Sequence, residues 1–271
     1  MKIIALLTDF GLKDNYVGLM KGVILKINPQ VNIVDITHGI GRHNIREAAF
    51  LLRASFPYFS PGTIFVAVVD PGVGSERRPI AIQTDNYYFL GPDNGVLSLA
   101  GKKDRIKAAV ALENKKYFLE NVSSTFHGRD IFASCAAHLA RGVSFFSLGE
   151  QIERIGELEI SPPQVKNDKI IGEIIYCDAF GNLITNITLQ QLLAYAGEGG
   201  FIATLKGKTI TRVYSFYAQA DSEEPFFIEG SFGYLEISLN QRGAKEYFSL
   251  ESGESPEITI ERRPSRGGSI S

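Results

Sequence analysis

Three short apolar runs separated by helical periodicity constrain the fold of this chain more than any other feature. Lys2–Leu7, Asn32–Ile36 and Thr63–Val69 have the length and apolar content of buried strands. Apolar residues recur at helical spacing from Tyr16 to Ile27, and a second helix follows its cap at Asn44. This β-α-β-α-β order predicts an α/β layered domain with a mostly parallel sheet.

The rest of the chain predicts a second, β-rich domain. The paired prolines at Pro162-Pro163 stop helices, and the polar run after them has little to bury. From Lys169 onward short β-rich segments alternate with glycine turns, which is typical of a small barrel or sandwich. We therefore predict an N-terminal α/β domain over 1–160, a linker over 161–168, a C-terminal β-barrel domain over 169–262 and a flexible tail over 263–271.

Charge and cysteine content exclude several classes of partner. The chain has 28 Lys and Arg against 30 Asp and Glu and no long basic run, so it lacks the electrostatic footprint of a nucleic-acid-binding protein. Its first apolar run is too short for a signal segment or a membrane span. Cys135 and Cys177 lie far apart, which indicates reduced thiols and a cytoplasmic location. His38 and His43 lack partners at metal-ligand spacing, so neither a metal nor another cofactor is expected.

Charged residues follow two of the predicted strands, where ligands of open α/β sheets collect. Asp9 follows the first strand, and a carboxylate there suits the vicinal diol of a ribose, although a helix cap or turn is the alternative. Asp70 follows the third strand, and a proline-glycine turn separates it from Arg77. These two side chains are expected either to polarise a small bound species or only to brace the loop as an ion pair.

Two further groups of residues have binding chemistry. His127 precedes a predicted helix, where backbone N–H groups favour negative charge, so it indicates an anion site or else a capping or packing histidine. Asp178, Phe180 and Asn182 follow an apolar strand and suit an ammonium and a purine. A turn held by Asx hydrogen bonds is the alternative for this segment. Arg242 is a residue type that forks onto carboxylates.

Four spaced motifs, taken together, resemble the S-adenosylmethionine hydroxide adenosyltransferases, a family similar to the halogenating fluorinases and chlorinases. The motifs are T-D-F-G-x-x-D-x-Y-V-G at Thr8–Gly18, V-V-D-P-G-V-G-S-E-R-R at Val68–Arg78, F-H-G-R-D at Phe126–Asp130 and D-x-F-G-N-L-I-T-N at Asp178–Asn186. The resemblance implies cleavage of S-adenosylmethionine to adenosine and methionine by activated water. It also implies an α/β domain, a β-barrel and a homotrimer with sites between subunits.

The resemblance also implies a role for each candidate residue. It places Asp70, Arg77 and His127 in a water-activating triad, Asp9 on the ribose hydroxyls, Asp178 on the methionine amine, Asn182 on adenine and Arg242 on the methionine carboxylate. Gln241 departs from the serine of the halogenating relatives. Those relatives carry a tyrosine or smaller residue in place of Asp70 and a halide-binding serine in place of Gly128. A carboxylate at Asp70 repels a halide, so water is the expected nucleophile.

Three other functions are weighed against hydrolysis. A non-catalytic S-adenosylmethionine or nucleoside-binding protein would use Asp9, Phe180 and Asn182 alone, and the intact triad disfavours it. Asp70 and Gly128 disfavour a halide-dependent transferase. A Rossmann oxidoreductase lacks support. The segment after Asp70 lacks the third glycine of the dinucleotide-binding motif G-x-G-x-x-G, and it leads into a strand rather than a helix. Arginine cannot act as a base, and the residues leave open whether His127 or Asp70 takes the proton from water.

Overall fold

The chain consists of two compact units. The computed structural model describes residues 2–220, 223–251 and 253–263, and its two units are Met1–Glu159 and Ile160–Ser271. The predicted tail, 263–271, lies outside the described residues except for Arg263. In the part of the chain that is described, no helix combines the length and apolar character needed to cross a bilayer.

The first unit contains a six-stranded sheet with helices on both faces. Its elements are β1 (Ile3–Thr8), α1 (Tyr16–Ile27), β2 (Asn32–Thr37), α2 (Ile45–Ser55), β3 (Ile64–Val68), β4 (Pro79–Thr84), β5 (Tyr88–Pro92), α3 (Ser98–Lys103), β6 (Ile106–Ala111), a π-helical segment (Gly128–Ala133) and α4 (Ser134–Ala140), with 3₁₀ turns at Phe56–Tyr58, Lys115–Tyr117 and Phe145–Leu148. The three predicted strands and the first two helices are confirmed within two residues. The sequence also predicts a hairpin, Ile80–Thr84 with Tyr87–Leu90 around Asp85-Asn86, and β4 and β5 confirm it. The sequence pattern does not predict α3 or β6.

The sheet has the strand order β2-β1-β3-β5-β4-β6 and is parallel from β2 to β5. Strands β4 and β6 add an antiparallel edge. Alternate residues of β1 enter different cores: Ile4 and Leu6 pack with α1 and α4, whereas Ala5 and Leu7 pack with α2 and α3. Burial on both faces explains why β1 and β3 are continuous apolar runs rather than alternating ones. The predicted α/β fold class is confirmed.

The parallel strands bring the candidate residues to one edge of the sheet. Thr8 is the register partner of Val68 in the pair β1–β3, and β2 ends at Thr37 beside Leu7. Because the carboxyl ends of parallel strands point the same way, the loops that start at Asp9, His38 and Asp70 leave the sheet together.

Apolar residues at helical spacing predict a helix from Ile131 to about Arg141, but the helical segment begins earlier. A π-helical segment starts at Gly128 and continues as α4 to Ala140. Gly142 follows with a φ of 95°, which the C-terminal cap of a helix requires. π-Helical turns are frequent at functional sites, and this one begins directly after His127.

The second unit is one curled sheet, a half-barrel, with two short helices. Its elements are β7 (Gln164–Lys166), β8 (Lys169–Cys177), β9 (Leu183–Thr185), α5 (Leu189–Ala196), β10 (Phe201–Leu205), β11 (Lys208–Ile210), β12 (Val213–Tyr214), β13 (Phe226–Glu229), β14 (Leu235–Ser238), α6 (Ala244–Tyr247) and β15 (Glu257–Arg262), with 3₁₀ turns at Gly197–Gly199 and Tyr217–Gln219. The order is β11-β10-β15-β8-β9-β14-β13-β12, with β7 paired to β8. Apolar residues of these strands and both helices fill one core. The predicted β-rich domain is confirmed.

Part of the predicted linker belongs to this sheet. Residues Gln164–Lys166 form β7, which pairs antiparallel with β8. Asn167 and Asp168 have φ values of 50° and 54°, so they form the two-residue turn of a β-hairpin. The polar Lys166-Asn167-Asp168 run is therefore a hairpin turn and not a spacer, and only 161–163 precede the sheet.

Candidate active site

Arg77 is the centre of a buried cluster at the carboxyl edge of the first sheet. Its Nε donates to Oδ1 of Asp70 at 2.9 Å, and its Nη2 donates to Oδ2 of the same carboxylate. The same Nη2 lies 2.8 Å from Nδ1 of His127. The side chains of Asp70 and Arg77 are only 5% and 10% exposed. The structure thus brings the three predicted triad residues together, and the Asp70–Arg77 ion pair is buried rather than exposed on the surface.

The remaining nitrogen of Arg77 faces no acceptor. Its Nη1 is buried and has no hydrogen-bond partner among the described residues. The guanidinium carbon lies 5.5 Å from the centre of the Phe132 ring, which supports the group from the π-helical segment. A buried, charged donor without an acceptor favours a bound anion or a developing negative charge at that position.

His127 is held in one protonation state by Arg77. An arginine N–H only donates, so Nδ1 of His127 accepts and the hydrogen of the neutral ring is on Nε2. Burial lowers the pKa of His127, and the charge of Arg77 lowers it further, against the opposing effects of Asp70 and Asp130. The side chain makes no capping bond to the helical segment that follows. His127 is therefore a neutral partner of Arg77 and not a capping histidine.

Close packing fixes the two loops that carry this cluster. Gly74 has a φ of 78°, and a Cβ placed on it would lie 2.3 Å from the carbonyl oxygen of Ser124. Asp130 is fully buried and accepts from the backbone N–H of Ser123 at 2.8 Å. The loop between Asp70 and Arg77 therefore lies directly against the segment that leads to His127.

Asp9 is oriented by backbone from the neighbouring loop. Its Oδ2 accepts from the N–H of His43 at 2.9 Å, and His43 has a φ of 61°, which a residue with a Cβ seldom adopts. Asp9 does not cap α1, whose N-cap position is Asn15. The ring of Phe10 lies 5.8 Å from that of Phe126, so the Asp9 loop packs beside the triad.

In the second unit, Asp178 and Asn182 close a turn between β8 and β9. Oδ1 of Asp178 accepts from the backbone N–H groups of Phe180 and Asn182 at 2.9 and 2.8 Å, and its Oδ2 accepts from the Asn182 amide at 2.9 Å. These are the Asx hydrogen bonds of the alternative interpretation, and both carboxylate oxygens take part in them. Asn182 is 7% exposed, whereas Phe180 is 83% exposed and free to stack on a flat group.

Arg242 lies in the segment packed against this turn. A Cβ on Gly181 would lie 2.9 Å from Cα of Gly243, and the N–H of Lys245 donates to the carbonyl of Gly181 at 2.8 Å. The Arg242 guanidinium carbon is 5.7 Å from the centre of the Tyr247 ring. The structure therefore brings the candidate residues of the second unit into one neighbourhood.

The sequence analysis does not predict two polar clusters that the structure contains. Thr8 and His38 form a buried pair beneath Asp9, described below. In the second unit, the Tyr217 hydroxyl donates to Oε1 of Glu236 at 2.5 Å, and Ser238 donates to the same oxygen at 3.0 Å. Burial and this carboxylate raise the pKa of Tyr217. The sequence feature that could have indicated the second cluster is Glu236 itself, a carboxylate inside an apolar strand run.

Among residues 2–220, 223–251 and 253–263, no three His, Cys, Asp or Glu side chains are arranged to hold a metal ion.

Comparison with known proteins covers almost the whole chain. Residues 4–149 match the SAM hydroxide adenosyltransferase N-terminal domain, and residues 172–257 match the SAM hydroxide adenosyltransferase C-terminal domain. An (R)-S-adenosyl-L-methionine hydrolase from Thermus thermophilus is 35% identical over 93% of this chain and 98% of its own length. An uncharacterized conserved protein of known structure from Thermotoga maritima is 37% identical, with a TM-score of 0.88 over 96% of this chain and 100% of that one.

A more distant similarity is to a halogenating enzyme. A fluorinase from Actinoplanes sp. is 26% identical to this chain over 95% of it and 97% of the fluorinase. The similarity to the hydrolase is thus the stronger of these two.

Proposed function

The chain belongs to the SAM hydroxide adenosyltransferase family, and we propose how its residues divide the work of the reaction. The enzyme hydrolyses S-adenosyl-L-methionine to adenosine and L-methionine. Relatives that are 32% to 41% identical to it are named (R)-S-adenosyl-L-methionine hydrolases. Their name specifies the R configuration, which we assign to the sulfonium sulfur of this enzyme's substrate.

The proposed mechanism rests on Nη1 of Arg77, which is buried and has no hydrogen-bond partner among the described residues. Water attacks C5′ of the ribose in line with the C5′–S bond. As the new C–O bond forms, the C5′–S bond breaks, its electron pair goes to sulfur as the thioether of methionine, and water loses one proton. Arg77 donates from Nη1 to the attacking oxygen and stabilises its hydroxide character, while Asp70 and His127 hold the guanidinium in place.

Asp70 is the better acceptor for the proton. In neutral His127, Nδ1 accepts from Arg77 and Nε2 carries hydrogen, so neither nitrogen is available as a base. Each oxygen of Asp70 accepts one hydrogen bond from Arg77 and keeps a second lone pair. We therefore assign the proton to Asp70 and a positioning role to His127.

The other candidate residues bind the two ends of the substrate. Asp9 accepts hydrogen bonds from the ribose hydroxyls through the oxygen that His43 does not hold. Asp178 attracts the methionine ammonium with the charge that also closes its turn. Asn182 and the exposed ring of Phe180 recognise adenine, and Arg242 pairs with the methionine carboxylate. The family resemblance supports the assignments of Asp9, Asp178, Asn182 and Arg242, and the exposure of the ring supports that of Phe180.

The resemblance also supports a homotrimer in which each site takes residues from two subunits. The triad and Asp9 belong to the first unit, and Asp178, Asn182 and Arg242 belong to the second, so one substrate needs both units. We also propose a cytoplasmic location, because Cys135 and Cys177 are both thiols and the cytoplasm keeps thiols reduced.

Incubation with the R and S sulfonium epimers of S-adenosyl-L-methionine tests the function. Chromatography should show adenosine and methionine from the R epimer in halide-free buffer with a chelator present. In ¹⁸O-water the label should appear on the adenosine 5′ oxygen. Ligand binding without turnover would favour a binding protein, and a requirement for halide would favour a transferase.

A further inference from the structure

His38 lies buried beneath the loop that carries Asp9. It follows β2, and its side chain is only 2% exposed. Its Nδ1 lies 2.8 Å from Oγ1 of Thr8, the fully buried last residue of β1. Its Nε2 lies 3.0 Å from Oδ1 of Asp35, whose other oxygen accepts from Lys21 of α1 at 2.6 Å. A buried imidazole thus connects β2, α1 and the end of β1.

The contact with Asp35 determines which ring nitrogen of His38 must carry a hydrogen. Partial burial opposes ionisation of Asp35, but the hydrogen bond from Lys21 and the close contact with His38 outweigh it and lower the pKa of Asp35. The His38 contact is within ion-pair distance but lacks the alignment of a hydrogen bond. Its carboxylate only accepts, so a hydrogen on Nε2 of His38 faces Asp35, and Nδ1 is the ring nitrogen that pairs with the Thr8 hydroxyl. The Thr8 oxygen in turn accepts from the N–H of Phe10 at 3.2 Å.

His38 also holds the other end of the same loop. Its carbonyl oxygen accepts from the N–H of Gly11 at 2.8 Å. The ring therefore fixes Thr8 and the carbonyl fixes Gly11, with Asp9 and Phe10 between them. Together with the bond from His43 to Asp9, these contacts determine where the Asp9 carboxylate points.

We propose that His38 is a positioning residue for Asp9: acting through the Thr8 hydroxyl, it sets the carboxylate in the geometry that the ribose hydroxyls require. The contacts of His38 described above are with Thr8, Asp35 and Gly11 and with no residue of the triad, so its role is one of positioning. The inference rests on the ribose role proposed for Asp9. It assigns the Asp35–His38–Thr8 contacts to recognition of the sugar rather than to attack at C5′.

A positioning role for His38 can be told from a merely structural one by comparing two substrates, one with the 2′-hydroxyl of ribose and one without it. Values of kcat and KM are measured for S-adenosylmethionine and for its 2′-deoxyribose analogue, with Thr8→Val as the test variant. Wild-type enzyme should prefer the ribose substrate by roughly tenfold or more, the scale of a hydrogen bond to a charged group. Thr8→Val keeps the shape but removes the hydroxyl. It should raise KM for S-adenosylmethionine roughly tenfold, change KM for the deoxy analogue little and leave kcat nearly unchanged for both.

Conservative variants provide the matched controls. Thr8→Ser keeps the hydroxyl and should keep the preference for ribose. His38→Asn places an amide oxygen near the position of Nδ1 and should retain most of the preference, whereas His38→Ala should lose it. The His38 variants also test the inference if Thr8→Val proves unstable, and thermal unfolding identifies which variants are folded.

The outcomes distinguish this inference from the function on which it rests. Equal losses of kcat/KM on both substrates in Thr8→Val and His38→Ala would overturn the positioning role, and so would an unchanged preference. Asp9→Asn is the reference. If it lowers the preference and the Thr8 and His38 variants do not, only the inference fails. If Asp9→Asn keeps the wild-type preference, the ribose role of Asp9 fails and the inference fails with it.

Discussion

Nη2 of Arg77 lies 2.8 Å from Nδ1 of His127 and donates to Asp70 at the same time. One nitrogen therefore couples the histidine to the carboxylate, and a hydrogen on Nδ1 would face the hydrogens of the guanidinium. Protonation of His127 at Nδ1 and the observed position of Arg77 are incompatible. His127 accepts from Arg77, which supports the proposed mechanism, in which Asp70 receives the proton of the attacking water.

Asparagine substitutions test this division of roles. Asp70→Asn keeps the size of the side chain but removes its charge and its ability to take a proton, so turnover should fall by roughly a hundredfold or more. His127→Asn keeps an oxygen able to accept from Arg77 and should cost roughly tenfold or less. Single-turnover rates compare the chemical step in the two variants. A greater loss in His127→Asn would make the histidine the base.

The dependence of turnover on pH should reflect the contact between Arg77 and His127. Burial and Arg77 lower the pKa of His127 below its usual 6.5, against Asp70 and Asp130. The neutral form therefore persists at pH 7, and kcat should decline only as pH falls through that lowered pKa, when the protonated ring loses its contact with Arg77. His127→Asn should not show this decline. An acid limb that is identical in both enzymes would assign it to another group.

Most of the fold follows from the period of the apolar residues. Runs such as Ile64–Val68 predict strands of a parallel sheet because both faces of each strand are buried. The pattern does not predict β6, where alanines and a lysine give a weak strand signal, or the π-helical start at Gly128. The Asn167-Asp168 turn is missed because its two positive φ values depend on the pairing of β7 with β8.

The candidate site is predictable in its residue types but not in its contacts. Strand ends identify Asp9 and Asp70, since ligands collect at that edge of the sheet. The Arg77–His127 contact joins residues 50 positions apart, and only the packing of two loops determines it. Similarly, nothing in the local sequence indicates that His38 faces Thr8, because their pairing depends on the order of β1 and β2 in the sheet.

Gly74 should be essential for bringing these loops together. In Gly74→Ala the new Cβ meets the carbonyl of Ser124 at 2.3 Å and the φ of 78° is strained, so the loop must move away from His127. Turnover should fall by roughly a hundredfold, the scale of a small misplacement of catalytic groups. Gly142→Ala is the control, since its φ is also positive at 95° but its Cβ would meet open space. Equal losses of turnover in the two variants would show that the contact between residue 74 and Ser124 is not the cause.

Gly128→Ser should not convert the enzyme into a halogenase. A Cβ at this position lies 3.3 Å from the ring of Phe126 and 3.4 Å from that of Phe10, so the serine is tightly confined. The negative charge of Asp70 remains beside the nucleophile site. We expect slower hydrolysis and a free energy of unfolding lower by about 1–3 kcal/mol. Chromatography with added chloride or fluoride should detect no 5′-halogenated adenosine, and a halogenated product would show that Gly128 alone excludes halide.

The proposed trimer predicts that two inactive chains can restore each other's activity. The triad lies in the first unit and Asn182 in the second, so Asp70→Ala and Asn182→Ala inactivate different units. If a site takes its first unit from one subunit and its second unit from another, mixed trimers contain a site in which both units are intact. A closed ring with head-to-tail interfaces provides such sites in every mixed arrangement. Unfolding and refolding the two variants together should therefore recover a fraction of the wild-type turnover.

The controls decide whether subunits share the site. Each variant refolded alone should stay inactive. The two substitutions change the chain mass by nearly the same amount, so one variant is labelled with ¹⁵N, and native mass spectrometry should then confirm that the mixture contains trimers of both mixed compositions. An Asp70→Ala chain mixed with an Arg77→Ala chain is the matched control. Both changes lie in the first unit, so every shared site still has a damaged triad and no activity should return. Recovered activity in the first mixture alone supports a site between subunits. Mixed trimers that remain inactive would show that each site is built within one chain.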